Sequence, residues 1–508
     1  MLDWFGRRKP GNKPAYRKAR DVIANLGGHD SAGDLAAVTV ALEALTNHGD
    51  LLPEERFDEI QLLDSAGQPR LFEMIKAYLS TPRQKKARES ELWGGAYGYL
   101  QELYLAYLLC VRRYEADAGG SPRFRRSLPV AVARALRALR LQLKWALLRY
   151  TEPDQRIWTE MAELYRFAVS NGIAEEAVPF YPGRQITVRE EFVKGLMVAA
   201  SSSDSLRPAE LNLATRLVDH YSSFFILAGT PTEGCTHWFD LNAPCAPVRA
   251  SRAPPENAAV QYFGAGGALI ELNAAHAEMA YTGSIPQEFR FYEKQDDQLL
   301  LAALNHLALD WAGKTQARLD ERRKITSRLT IVPGLPEILR ALTFAVNDSL
   351  DFTDQPAAES WVMEDVSAGG YGAVIPALAG DWVEVGSLVG IQGSSIVEWR
   401  IGVIRRVRRL DADQQHVGVH LLGSGAALVM LTQKESRPGA KSAEPAVLLS
   451  AAPKAQDEVE VLVRGGMFSS MDDVEMVLGK KRFLLKPIRV VERSARAERV
   501  AFQVLTAA

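Results

Sequence analysis

The hydrophobic period of this chain changes once, near residue 325, and no other feature constrains the fold as strongly. Before that point apolar residues recur three and four positions apart; after it they alternate. One face of a helix repeats about every 3.6 residues and one face of a strand every two, so neither element can satisfy the other's pattern. The chain is therefore expected to be a multidomain α+β protein. An N-terminal all-α bundle or solenoid-like region would precede a small antiparallel β-barrel and further strands.

The helical signals are local and specific. "SAGDLAAVTVALEALTNHG" (31–49) opens on Ser31 as a cap with Asp34 three residues on, and stops at Gly49. Pro53 suits the first turn of the following helix, and Thr187 and Glu190 have capping-box spacing. Tyr97, Leu100, Tyr104, Tyr107 and Val111 form a stripe expected to be a buried helix face. Arg134, Arg137, Arg140 and Lys144 form a basic stripe beside an apolar face, as in an amphipathic helix packed on its neighbours. No fixed-period repeat decides between bundle and solenoid. The Pro-rich stretch 228–262 reads either as a long loop or as a small β insertion. The expected divisions are a helical domain at 1–227, the Pro-rich segment and its following helices at 228–315, and a barrel at 316–431. Additional strands follow at 445–508, after a low-order stretch at 432–446, and either complete the barrel or form a domain of their own.

Composition limits the functional classes. A formal charge of −2 over 508 residues is not that of a protein that coats nucleic acid, so any anion site is expected to be local and no nucleic-acid polymer is expected as a partner. Cys110, Cys235 and Cys245 are too few for a disulfide framework and suit a reducing compartment. No signal peptide or transmembrane window is visible, so a cytoplasmic location is expected. No nucleophile elbow, zinc-protease helix, Walker loop or kinase set occurs. "FGAGGALIEL" lacks dinucleotide-fingerprint spacing and reads as a helix start. Cys235, His237 and Cys245 fall short of a zinc ligand set and read as free thiols beside a histidine. His220, His237, His276 and Asp240 form no ordered constellation. Neither catalysis, a metal nor a cofactor is expected.

One turn carries more information. "ESWVMEDVSAGGYGAVIP" (359–376) sets Asp365, Ser367, Gly369 and Gly370 between two apolar stretches, as a β-hairpin would. Upstream, "ARLDERRKITSRLTIVPG" (317–334) supplies Arg318, Arg322, Arg323, Lys324 and Arg328. The basic run, "DVSAGG" and the later "WRIGVIRRVRR" and "QQHVGVHLLG" together resemble a PilZ domain, the bacterial receptor module for cyclic di-GMP. That family pairs R-x-x-x-R with D/N-x-S-x-x-G. Asp365, Ser367 and Gly370 match the second motif in full. The first departs: Lys324 and Arg328 keep the spacing with Lys in the first place, Arg318 and Arg322 keep it further from the barrel, and Arg323 and Arg328 are one residue too far apart. "GLPEILRALTF" (334–344) reads as an inserted helix.

The resemblance spans about 322–425 and implies a ligand set of Arg322, Arg323, Lys324, Arg328, Asp365, Ser367, Gly369 and Gly370. These residue types suit the ligand, a dianion with two guanines. A guanidinium binds phosphate bidentately, reads guanine O6 and N7, or stacks on a base. A carboxylate accepts from guanine N–H groups, a hydroxyl adds a further bond, and the two glycines tolerate positive φ and let the backbone approach the ligand. The resemblance further implies an effector of motility, pili, adhesion or biofilm that meets a protein partner through its helical region. The alternative is a scaffold whose barrel binds no nucleotide.

Overall fold

The structure is a computed structural model. It describes residues 16–507 except 29, 50, 83–84, 117–121, 182–183, 257–258, 292–295, 314–322, 348–356, 377–381, 394–397, 412, 434–442, 451–452, 468–472 and 494–496. Two compact units divide the chain, residues 1–317 and 318–508.

The first unit is helical. It contains α1 (Ala19–Ile23), α2 (Ser31–Asn47), α3 (Pro53–Ser80), α4 (Lys86–Ala116), α5 (Pro122–Leu147), α6 (Gln155–Ser170), α7 (Val188–Ala200), α8 (Pro208–His220), α9 (Ala268–Thr282) and α10 (Asp297–Trp311). The α2 cap is Asp30 rather than Ser31, its carboxylate accepting from the Gly33 amide. Thr187 caps α7 as its spacing suggests. A short hairpin, β1 (Val178–Tyr181) with β2 (Arg184–Ile186), precedes α7. The Pro-rich stretch is a small β insertion: β3 (Ile226–Ala228), β4 (His237–Asp240), β5 (Val248–Arg249) and β6 (Val260–Gly264) form a sheet ordered β3-β6-β4-β5. The expected division at 227/228 runs through β3. The sheet and the helices share one apolar core, in which Phe239 meets Trp158 and Phe192. Among the described residues no helix is long and apolar enough to cross a membrane.

The basic stripe of α5 faces inward. Arg134 bonds Asp64 at 3.0 Å and the Phe180 carbonyl; Arg137 donates to Gln68, Arg140 to Glu191 at 2.8 Å, and Lys144 to Asn212 at 2.6 Å. The helix packs on α3, α4 and α7, so its cations are enclosed and each finds an acceptor on a neighbouring element. Burial pushes the Glu191 carboxyl up, but Arg140 and Lys194 outweigh it and hold the group below its ordinary value of 4.5. Burial, with Arg216 beside it, holds the Lys144 ammonium well below its ordinary range.

The second unit is two closed barrels. The first comprises β7 (Arg323–Pro333), β8 (Glu359–Ser367), β9 (Gly370–Pro376), β10 (Leu388–Gly393), β11 (Arg400–Arg409) and β12 (Gln414–Leu422), with α11 (Gly334–Asn347) after β7. Its cyclic order is β7-β8-β9-β12-β11-β10, and pairing of β7 with β10 closes it. The second comprises β13 (Ala427–Gln433), β14 (Ala443–Leu448), β15 (Glu458–Arg464), β16 (Val474–Leu478), β17 (Lys481–Arg493) and β18 (Ala497–Ala507). Its order is β13-β14-β15-β18-β17-β16. Both run first-second-third-sixth-fifth-fourth, so the same topology occurs twice in succession.

The C-terminal strands therefore form a domain of their own rather than completing the first barrel. That domain begins at β13, inside the range 316–431 expected for the first, because β13 pairs with β14 and β16. Helix α11 joins the two barrels. Leu335, Ile338, Ala341 and Leu342 pack with Val332, Ile401, Val403 and Leu422 of the first barrel and with Val447, Leu449 and Leu462 of the second. Gly423 takes a φ of +71° at the crossing, where an added Cβ would stand 1.9 Å from the Leu449 carbonyl oxygen.

Two outcomes follow from this packing. Glu191→Ala leaves Arg140 and Lys194 with Asp219 as their remaining carboxylate partner and is expected to destabilise the helical unit by about 1–3 kcal/mol in denaturant titration. Because the folded-state value is depressed, the Glu191 contribution is complete above about pH 4.5 and fades as pH falls through that lower value. A 318–508 fragment is expected to melt in one cooperative step, whereas 318–430 exposes the α11 cluster and should melt lower or aggregate. Equal melting temperatures in circular dichroism would contradict the shared core.

Candidate functional site

The site is built on the outer wall of the first barrel. Along β8 and β9 the buried side chains Trp361, Met363, Tyr371 and Ala373 fill the interior, and Val362 is exposed on the opposite face. A hairpin joins these strands, with Ser367 paired to Gly370 across Ala368 and Gly369. Neither Gly369 nor Gly370 uses positive φ. The constraint at Gly370 is steric instead: an added Cβ would stand 2.1 Å from the Val419 carbonyl oxygen on β12.

Strand register decides which residues meet. Lys324 pairs with Asp365, Asp365 with Gly372, Gly372 with Gly418, and Gly418 with Arg406. These five form one row across β7, β8, β9, β12 and β11. A second row carries Arg328, Val362, Val374, His416 and Arg408. A third carries Ser367, Gly370 and His420. The expected residues Lys324, Arg328, Asp365, Ser367 and Gly370 thus fall on adjacent rows. Arg323 pairs with Val366, one position out of phase with Lys324. Arg322 lies outside the described residues. Lys324 and Arg328 are exposed and Asp365 is half-buried. The Asp365 carboxylate leans over Gly372, whose added Cβ would meet Oδ1 at 2.7 Å.

Sequence reasoning missed Arg406, Arg408, His416 and His420 as members of this face. The signal was present in "RIGVIRRVRRL" and "QHVGVHLLG", where polar residues alternate with buried Val403, Val407, Val417 and Val419. What alternation omits is which strand lies beside which.

His220, His237 and His276 lie on α8, β4 and α9, and the first two have local partners. His237 stacks on Phe263 and lies 3.0 Å from the Thr236 hydroxyl; burial, with Arg249 nearby, lowers its imidazole to about 4. His220 packs edge-on against Tyr221 and Phe289. Asp240 accepts from the Asn242 and Ala259 amides. Cys235 and Cys245 are free thiols. Among the described residues no group of His, Cys, Asp and Glu could hold a metal ion.

A closed six-stranded barrel, with a basic strand beside an Asp-x-Ser hairpin on its outer wall, has the strands and the motif of a PilZ domain. Comparison with known families agrees: residues 347–427 match the middle PilZ domain of the cyclic-di-GMP receptor FimW, and residues 17–232 match the N-terminal domain of the same receptor. The chain belongs to the PilZ domain family, with a long helical N-terminal region. The PilZ match covers β8 to β12 and does not reach β7, which bears Lys324 and Arg328. A comparison with curated proteins gave no match.

Gly370→Val is expected to break the β9–β12 approach and destabilise the 318–508 unit by roughly 1–3 kcal/mol or more in thermal melts.

Proposed function

We propose that this protein is a non-enzymatic receptor that binds cyclic di-GMP on the outer wall of its first barrel. The observation that carries this reading is the register Lys324–Asp365, with Arg328 and Ser367 on the flanking rows, in a chain that matches two domains of a cyclic-di-GMP receptor. Cations from β7 face the ligand's phosphates and guanine acceptors. Asp365 and Ser367 accept from guanine N–H groups. Gly369 and Gly370 keep the hairpin low enough for the ligand to approach. The ligand is bound unchanged, without metal or cofactor. The helical unit meets a protein partner in the cytoplasm, and the output is motility, pilus function, adhesion or biofilm formation.

Lysine at position 324 supports a second reading, a scaffold that binds no nucleotide, because an ammonium offers a point charge where a guanidinium offers a fork. Isothermal titration of the full-length protein with cyclic di-GMP, with GTP and cyclic di-AMP as controls, separates the two. Selective micromolar or tighter binding is expected. Arg328→Ala and Asp365→Ala should each weaken it by about 1–3 kcal/mol. Absence of binding by the unmodified protein favours the scaffold; unchanged affinity in both variants removes the site assignment.

A further inference from the structure

The wall that carries Asp365 does not end at the hairpin. Beyond Asp365 the same row crosses Gly372 and Gly418, which are direct cross-strand partners and contribute no side chain. At its far end stands Arg406, exposed, with its Cβ 3.4 Å and its Cγ 3.9 Å from the position an added Cβ on Gly418 would occupy. Asp365 on β8 and Arg406 on β11 thus stand at the two sides of a glycine strip, the Asp365 carboxylate leaning over Gly372 from one of them. Three inter-strand spacings, about 14 Å, separate the two backbones.

The barrel turns Arg406 onto this row by a bulge. The β11–β12 register shifts between Ile404 and Arg406, leaving Arg405 as the extra residue. Without that residue, position 406 would fall out of phase with Gly418. Arg405 is held by the second barrel, its two terminal nitrogens each 3.2 Å from a carboxylate oxygen of Glu492 on β17. Arg499 of β18 bonds the same carboxylate at 3.4 Å.

We infer that Arg406 is a further ligand-binding residue that forms the far wall of the nucleotide face and reads the O6 and N7 acceptors of the second guanine. The inference rests on the cyclic di-GMP reading above. Gly372 and Gly418 are the floor beneath that base: a side chain at 418 would stand where the base lies. The second barrel then acts on the site through the Arg405–Glu492 pair, as a support for the bulge that aims Arg406.

The test is titration of the full-length protein and its Arg406→Ala, Arg406→Lys, Gly418→Val and Asp365→Ala variants with cyclic di-GMP and cyclic di-AMP. Adenine presents an amino donor where guanine presents O6. Arg406→Ala is expected to weaken cyclic di-GMP binding about ten- to a hundred-fold and to narrow the preference over cyclic di-AMP. Arg406→Lys should not restore it, because the fork is lost. Gly418→Val should weaken binding while Arg406→Ala leaves the melting temperature unchanged. Wild-type affinity in Arg406→Ala beside a weakened Asp365→Ala would overturn this inference and leave the receptor reading standing. Full recovery by Arg406→Lys would overturn the guanine-reading role. No binding by the unmodified protein would overturn both.

Discussion

Closure of the first barrel by β7 against β10 is the constraint on which the second unit depends. Leu329 to Pro333 pair with Val389 to Gly393, and this brings the first strand back to the fourth. Left open, β7 would be an edge with one set of unpaired amides. Closed, its Leu329–Pro333 half has partners on both sides and anchors its register against β8. That register sets Lys324 beside Asp365 and Arg328 beside Val362. The same closure places Val332 and the start of α11 where the helix can cover both barrels.

The repeated topology clarifies how one barrel can serve the other. Both have the same strand order, yet they differ on their outer walls. The first carries Lys324, Arg328, Arg406 and Arg408 beside Asp365 and two paired glycines. The second carries ion pairs in succession, Arg489 with Glu458, Arg499 with Glu460 and Glu492, and Arg493 with Glu498. The exposed Arg489–Glu458 pair contributes little stability, whereas Glu498 is buried beside Arg493. Together the pairs leave that wall charge-balanced and give it a matched surface for Arg405. A wall whose charges answer one another is a poor anion receptor and a good support.

The helical unit solves a different problem. Helix α5 is enclosed, so its polar residues had to find partners inside. Asp64, Glu191 and Asn212, on α3, α7 and α8, supply them. Such an arrangement specifies which helices pack together more sharply than apolar contact alone, since a misplaced helix would leave a buried charge unanswered.

Much of this was legible in the residues. The change of period near 325 separates the helical unit from the barrels, and Asp365, Ser367 and Gly370 mark the β8–β9 hairpin without help from the rest of the chain. These are local properties: a period, a cap and a turn depend on neighbours within a few positions. The basic stripe of α5 was visible too, but not its burial, because burial depends on helices tens of residues away. The same holds at the site. Lys324 reaches the Asp365 row and Arg323 does not, because of a bulge in β7 that alternation does not announce. Gly418 and Arg406 join that row only because β12 pairs with β9 and β11 with β12. Sequence by itself determined the elements and the motif that marks the site. Tertiary structure decided the membership of the site, because strand neighbours in a barrel are chosen by closure and register, and both are relations between distant parts of the chain.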